Sequence, residues 1–133
     1  LPDKDNCGLL WYAPLLPMHA DRISEFVSMV RRICPVYGIE PLITLTHLKH
    51  DCVDATVPIV FNNLDIESRR KALACLDCLL ENGLEKGFVP YRLNVKQQHT
   101  LLDPETPYWQ LVDKIKRQFD PNGILSPGRY DPV

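Results

Sequence analysis

The order in which the apolar residues change period constrains this chain more than any other feature. Alternating or continuous apolar runs predict strands, whereas recurrence every three or four residues predicts helices. The predicted strands cover residues 8–16, 42–48, 54–61 and 87–95, and the predicted helices cover 20–34 and 66–82. The order strand, helix, strand, strand, helix, strand predicts an α+β fold, a ferredoxin-like βαββαβ sandwich with helices on one face of an antiparallel sheet.

Each predicted helix carries an apolar stripe that should pack on the sheet. The stripes consist of Ile23, Phe26, Val27, Val30, Ile33 and Cys34 in the first helix and of Ala72, Leu73, Leu76 and Leu80 in the second. Asn82-Gly83 should end the second helix. The strands 42–48 and 54–61 should form an antiparallel hairpin, with a bulge or an early end to pairing at Pro58 because proline has no N–H to donate. A third helix, 107–119, should bury Trp109, Val112, Ile115 and Phe119.

Composition excludes several classes of protein. The chain has 133 residues, a length typical of one domain, and a formal net charge of −2. No basic surface indicates nucleic acid, and no apolar run reaches the roughly 20 residues of a membrane helix. The five cysteines are irregularly spaced, so we expect free thiols in place of a disulfide scaffold. Cys75 and Cys78 have CxxC spacing, but their apolar helical setting favours inert, reduced thiols over redox chemistry.

Motifs for common catalytic centres are absent from the sequence. It contains no glycine-rich phosphate loop and no HExxH or GxSxG motif. His47 and His50 could approach each other near a hairpin turn, but two histidines without further ligands favour exposed turn residues over a metal site. Residue patterns alone therefore reach an α+β domain and no metal centre.

The C-terminal residues 119–130 read Phe-Asp-Pro-Asn-Gly-Ile-Leu-Ser-Pro-Gly-Arg-Tyr and resemble the final signature of FAD-linked oxidases. The Gly-Leu-Leu-Trp-Tyr-Ala-Pro run from residue 8 and the Tyr91-Arg92 pair extend the resemblance to the 4-cresol methylhydroxylase and vanillyl-alcohol oxidase family. Nearly the whole chain is covered, but only as the C-terminal part of such an enzyme. We expect residues 1–102 to be a portion of the cap, or substrate, domain. Residues 103–133 should be a helix and tail returning toward an FAD-binding domain that this chain lacks.

The resemblance implies a reaction and a substrate site. In this family, FAD oxidises a para-substituted phenol at its benzylic carbon by hydride transfer to the flavin N5, through a quinone methide. Tyr91 and Arg92 are the implied catalytic residues, holding the phenol as a phenolate. They are neighbours on a predicted strand, so both can reach one ligand only if the strand ends there. Thr44, Thr46 and Trp11 are the implied pocket residues, although threonines are also common on a half-exposed sheet face.

Two residues are implied in cofactor binding, Tyr12 and Arg129. Many oxidases of this group link FAD covalently through a histidine in the strand that matches residues 8–13, and that segment has no histidine here. The hydroxylase branch uses a tyrosine, and Tyr12 is the tyrosine of this strand. Covalent attachment therefore stays open, and the alternative is that Trp11 and Tyr12 are pocket or core aromatics.

The implied partners are a phenolic substrate, the missing FAD-binding domain and a further copy of the chain in a homo-oligomer. The hydroxylase branch also pairs with a c-type cytochrome, so oxygen and cytochrome both stay open as electron acceptors, as do cytoplasm and periplasm as compartments. The alternative function is a stand-alone ferredoxin-like module that binds a small molecule or a protein without catalysis.

Overall fold

The fold was obtained as a computed structural model, which describes residues 4–130. Contacts divide the chain into two compact units, Leu1–Arg92 and Leu93–Val133. The first unit contains β1 (Cys7–Tyr12), β2 (Pro14–Pro17), α1 (Ala20–Ile33), β3 (Thr44–Lys49), β4 (Cys52–Asn62), α2 (Ile66–Glu85) and β5 (Val89–Pro90). The second contains α3 (Pro107–Phe119) and a short 3₁₀ turn, Gln98–Thr100.

The five strands of the first unit form one antiparallel sheet around β4. β1 and β2 pair along one side of β4 in a single register, from Cys7 opposite Asn62 to Pro17 opposite Cys52, so they form one strand interrupted at Ala13. β3 pairs with the other side of β4, and β5 pairs with β2. With β1 and β2 counted as one strand, this is the predicted βαββαβ ferredoxin-like arrangement, and the prediction is confirmed.

The core lies between the sheet and the two helices α1 and α2. The sheet contributes alternate residues, which are buried because their side chains share the face that the helices cover: Tyr12, Leu16, Val53, Ala55, Val57 and Ile59. The helices contribute Phe26, Met29, Val30 and Ile33 from α1 and Ala72, Cys75, Leu76, Leu79 and Leu80 from α2. Most of the predicted stripes are therefore correct. Leu73 is an exception, because it lies one position off the buried stripe and is 47% exposed.

The predicted end of α2 was wrong. α2 continues past Asn82-Gly83 to Glu85, because Gly83 is buried against Tyr12 instead of ending the helix. The predicted early end of the hairpin pairing near Pro58 is confirmed, because β3 and β4 pair only as far as Thr56. β4 itself continues through Pro58, which pairs in register with Trp11 of β1. β3 begins at Thr44, opposite Thr56, and does not extend alongside Pro58. At Pro58, β4 is therefore paired on the β1 side only, and a missing N–H donor on the other side is tolerated.

The fourth predicted strand is also shorter than expected. β5 consists of Val89–Pro90 in place of 87–95, and the chain bends at Tyr91. In the second unit, α3 has the predicted bounds, but none of its residues is buried, and Phe119 is 82% exposed. A single helix without a second layer cannot bury its apolar stripe within its own unit. None of the helices in residues 4–130 combines the length and the apolar character that crossing a membrane requires.

Candidate functional site

The sheet face that α1 and α2 leave uncovered is the candidate site. Side chains alternate along each strand, so the neighbours of the core residues lie on this face, which we call the open face. It carries both large apolar and polar side chains: Leu9, Trp11 and Leu15 from the first two strands, Thr44 and Thr46 from β3, Asp54, Thr56 and Val60 from β4, and Val89 from β5. Trp11 is 57% exposed.

The pairing registers show which of these residues are neighbours. Thr44 lies opposite Thr56, and Thr46 lies opposite Asp54. On the other side of β4, Leu15 lies opposite Asp54, and it also faces Val89 on β5. The open face therefore brings the predicted pocket residues onto one surface.

Tyr91 extends the β5 pairing by one step, since its N–H donates to the carbonyl of Ala13 at 3.2 Å. Val89 is exposed and Pro90 is buried, so Tyr91, which is 49% exposed, follows Val89 onto the open face by alternation. Tyr91 accordingly shares its surface with three other residues predicted from the sequence, which are Trp11, Thr44 and Thr46.

Arg92 reaches the same place as Tyr91 because β5 ends at Pro90. The guanidinium carbon of Arg92 lies 5.4 Å from the centroid of the Tyr91 ring, a cation–π distance. A permanent cation thus lies over the ring of a tyrosine at the end of a strand. An arginine fork and a hydroxyl donor can both bind one oxygen anion, and such charge-assisted hydrogen bonds favour the ionised form of a phenol.

Asp54 is the residue of the open face that the sequence interpretation missed. The predicted strand 54–61 began at this residue and gave it no role, whereas β4 begins at Cys52 and places Asp54 inside the strand. Its Oδ1 atom is buried and accepts no hydrogen bond from any of the described residues. A signal was available, because the alternation of Ala55, Val57 and Ile59 continues backwards through Val53.

Tyr12 lies on the opposite face of the sheet from Trp11. Its ring stacks on Phe26 with centroids 6.2 Å apart, and a Cβ at Gly83 would overlap its hydroxyl. The hydroxyl is buried without a hydrogen-bond partner among residues 4–130, and burial raises the pKa of Tyr12 well above its usual range. A flavin on the open face could not reach this hydroxyl. The placement supports a core role for Tyr12 over a role in cofactor binding.

The C-terminal signature forms two successive turns in the second unit. The carboxylate of Asp120 accepts hydrogen bonds from the N–H groups of Ile124 and Leu125 at 2.9 and 2.8 Å, and Lys116 Nζ lies 2.6 Å from it. The lysine and these two N–H groups lower the pKa of Asp120 to about 2. Arg129 is exposed in the second turn, where its N–H donates to the carbonyl of Ser126. Asp120 therefore explains part of the signature as a structural turn, and the cofactor role of Arg129 stays a prediction.

The cysteines give no sign of redox or metal chemistry. All five are free thiols. Cys34 and Cys75 are buried between α1 and α2 with their sulfur atoms 4.0 Å apart, and the hydrogen bond between them, together with burial, raises the pKa of Cys75. Among residues 4–130, no group of three or more histidine, cysteine, aspartate or glutamate side chains is arranged to hold a metal ion, so His47 and His50 gain no further ligands.

A small depression on the helix layer is a weaker candidate. Its volume is about 200 Å³, and its lining includes Glu25, Arg32 and Lys86. Glu25 is already bound by Lys86 Nζ at 2.7 Å and by Arg22 at 2.5 Å, and Arg22 also donates to the carbonyl of Lys86. These charges satisfy one another and link the start of α1 to the end of α2, so they have a structural role.

Comparison with curated proteins identifies relatives of this chain. It is 30% identical over 130 residues to 1'-carboxy-chondrochloren decarboxylase from Chondromyces crocatus, and the alignment covers 98% of this chain and 24% of that protein. It is 26% identical over 123 residues to the 4-cresol dehydrogenase [hydroxylating] flavoprotein subunit from Pseudomonas putida, covering 92% of this chain and 23% of that protein. The chain therefore spans about a quarter of the length of these relatives. No protein-family model matches it.

Solved structures with a similar fold include proteins of the same kind as these relatives. A crystal structure of p-cresol methylhydroxylase with substrate bound superimposes with a TM-score of 0.83 and 26% identity, covering 92% of this chain and 24% of that one. The 4-ethylphenol oxidase from Gulosibacter chungangensis, solved as an isoeugenol complex, superimposes with a TM-score of 0.82 over 95% of this chain and 25% of that one. At 23% identity, the second comparison supports the fold alone.

The chain matches the C-terminal portion of 4-cresol methylhydroxylase-type flavoproteins. The resemblance inferred from the tail, the first strand and the Tyr91-Arg92 pair is thereby confirmed. The comparisons do not test the roles of individual site residues, which stay predictions.

Proposed function

We propose that this chain is the C-terminal part of an FAD-dependent oxidoreductase that oxidises para-substituted phenols at the benzylic carbon. The names of its relatives support the class of reaction, since they include a flavoprotein subunit of a 4-cresol dehydrogenase and a p-cresol methylhydroxylase. In this proposal, the open face supplies one wall of the substrate pocket.

The observation that carries the proposal is the pairing of Arg92 with Tyr91 on the open face, beside a surface of apolar and threonine side chains. An ordinary phenol has a pKa of about 10 and is therefore mostly neutral at pH 7. The Arg92 guanidinium and the Tyr91 hydroxyl stabilise the phenolate, which releases electrons toward the para carbon. Trp11 and Leu15 offer apolar surface for the aromatic ring, and Thr44 and Thr46 offer hydroxyl groups beside it.

The residues of this chain fit the ring end of a flavin site better than its diphosphate end. The open face has exposed apolar side chains, among them Leu9 and Trp11, against which a planar ring system can lie. The connection between β2 and α1 is Met18-His19 and contains no glycine, so α1 does not begin with a turn that lets a diphosphate approach closely. When bound, FAD supplies the hydride acceptor. We propose that its diphosphate and adenine are held outside these 133 residues and that Arg129 contacts the cofactor.

A homo-oligomer, and a c-type cytochrome as electron acceptor, are further parts of the proposal that follow from the resemblance. Oxygen is the alternative acceptor. The two acceptors separate in one experiment, because reduction of added cytochrome c proceeds without oxygen whereas peroxide formation requires it.

The proposal is tested on the full-length protein that carries this sequence. The purified protein should show the absorbance bands of oxidised flavin, and anaerobic addition of 4-cresol or 4-ethylphenol should bleach them. Anisole analogues, which lack the ionisable hydroxyl, should leave the flavin oxidised and serve as matched controls. A full-length protein without flavin, or a flavin that no 4-alkylphenol reduces, would overturn the proposal and favour the stand-alone binding module.

A further inference from the structure

Asp54 is a carboxylate in a strand, on the open face of the sheet. It lies within β4, where its cross-strand neighbours are Leu15 on one side and Thr46 on the other. Its Oδ1 is buried and has no hydrogen-bond partner among the described residues, while the residue as a whole is half-buried. Aspartate is disfavoured in strands, and burying a polar group without a partner destabilises a fold.

Asp120 shows how this chain provides hydrogen-bond donors to a carboxylate that has a structural role. Asp120 accepts two backbone hydrogen bonds and an ion pair from Lys116. The Oδ1 of Asp54 accepts no hydrogen bond from residues 4–130, although a threonine at this position would match Thr44, Thr46 and Thr56 around it. Residues that violate the local rules of a fold tend to lie at functional sites.

We propose that Asp54 determines which substituent the ligand carries at the end remote from its phenol oxygen. The Asp54 carboxylate accepts a hydrogen bond from an uncharged donor, such as a hydroxyl group, and repels a carboxylate at that position. This inference rests on the proposed function, because it assumes a phenolic ligand with its oxygen at Arg92.

The positions of the two charges on the open face support this orientation. Tyr91 and Arg92 follow β5, whereas Asp54 lies on β4, with the β1–β2 strand between them. Two strand spacings separate them by about 10 Å across the sheet. A ligand that lies across the open face therefore has a cation at one end and an anion at the other. An anionic oxygen is attracted to Arg92, and a second anion beside Asp54 is disfavoured, because like charges placed together in a binding site cost several kcal/mol.

The experiment compares two substrates of nearly equal size in the flavin-loaded full-length protein, 3-(4-hydroxyphenyl)propan-1-ol and 3-(4-hydroxyphenyl)propanoate. The parent should prefer the alcohol in kcat/KM. Asp54→Asn keeps the shape of the side chain and removes its charge, so the preference should shift toward the carboxylate by about tenfold or more, the factor that corresponds to 1.4 kcal/mol. Most of this shift should appear in KM for the carboxylate.

Two further variants keep the test independent of folding. Asp51→Asn removes the same charge from the exposed β3–β4 turn and should leave the preference unchanged. Asp54→Thr suits a strand and should shift the preference in the same direction as Asp54→Asn. If the parent oxidises 4-alkylphenols but does not prefer the alcohol, or if both Asp54 variants retain its preference, this inference is wrong while the proposed function stands. A parent that oxidises no phenol would overturn both.

Discussion

The two faces of the sheet differ in what their residues are able to do. On the helix-covered face, Val57 and Ile59 are fully buried, and β4 packs against α2. On the open face, Thr56 and Val60 alternate with them along the same strand but are not covered by α1 or α2. The same β4 backbone therefore supports a core on one side and a surface available for binding on the other.

Because of this difference, we expect the two faces of the sheet to tolerate different substitutions. A change on the helix-covered face acts on stability, because a fully packed interior has no room to adjust. A change on the open face acts on ligand binding, because the residues there have few partners within the fold. Four measurements test whether the two faces differ in this way, and the largest expected effect comes first.

The largest effect is expected from Ile59→Ala paired with Val60→Ala, which are adjacent on β4 but on opposite faces. Ile59 is fully buried, so its truncation should lower the free energy of unfolding by about 2–5 kcal/mol. Val60 is 45% exposed, and its truncation should cost less than about 1 kcal/mol. Urea unfolding of the two variants measures both values. Equal losses would show that the open face is covered and belongs to a core.

Arg92→Met should leave stability nearly unchanged and reduce turnover of 4-alkylphenols. Removing a cation that stabilises a developing charge typically lowers kcat by about 100- to 1000-fold. Turnover should partly recover as the pH approaches about 10, where the phenol ionises without help. Tyr91→Phe should have a smaller effect in the same direction. The control is Arg31→Met on the exposed side of α1, and parent-like rates in the Arg92 variant would make the Tyr91-Arg92 pair structural.

Tyr12→Phe tests whether this tyrosine belongs to the core or to the cofactor. Its hydroxyl is buried without a partner among the described residues, so its removal should raise the free energy of unfolding by about 1 kcal/mol. The flavin content of the full-length protein should not change. Loss of covalently bound flavin in this variant would contradict the core role and assign Tyr12 to cofactor attachment.

The smallest effect concerns Asp120, a carboxylate that serves the fold. Its pKa of about 2 in the folded chain lies below the ordinary value of about 4. Its contribution to stability is therefore complete above pH 4 and is lost as the pH falls through about 2. NMR resonances of the Ile124 and Leu125 amides should shift over this interval in the parent but not in Asp120→Asn. Amides that titrate equally in both proteins would assign the change to another group.

Much of this architecture could be predicted from the sequence, because periodicity is a local property. The helices 20–34 and 107–119 were placed to within one residue, since caps and breakers such as Pro35 and Thr106-Pro107 lie next to them in the chain. The end of α2 was wrong, because Gly83 is held in the helix by its contact with Tyr12, more than 70 residues away in sequence. Capping rules cannot detect such a contact.

The candidate site likewise combines residues that the sequence predicted with an arrangement that depends on tertiary structure. Sequence motifs selected Tyr91, Arg92, Trp11, Thr44 and Thr46, since residue type and resemblance to a family can be recognised without coordinates. Their presence on one face depends on the pairing registers between β2, β3, β4 and β5, which join segments far apart in the chain. Tyr12 and Trp11 are neighbours in sequence, and a pleated strand sends their side chains to opposite faces.

The sequence by itself determined the order of helices and strands, the apolar stripes and the resemblance to flavoproteins, because each depends on spacing along the chain. Only the tertiary structure shows that β5 ends at Pro90 so that Arg92 can stack on Tyr91, and that Tyr12 is enclosed by α1 and α2. It also shows that Asp54 faces away from these helices with an Oδ1 that has no hydrogen-bond partner among residues 4–130. Burial and hydrogen bonding depend on which distant segments come together, and that information is present only once the chain has folded.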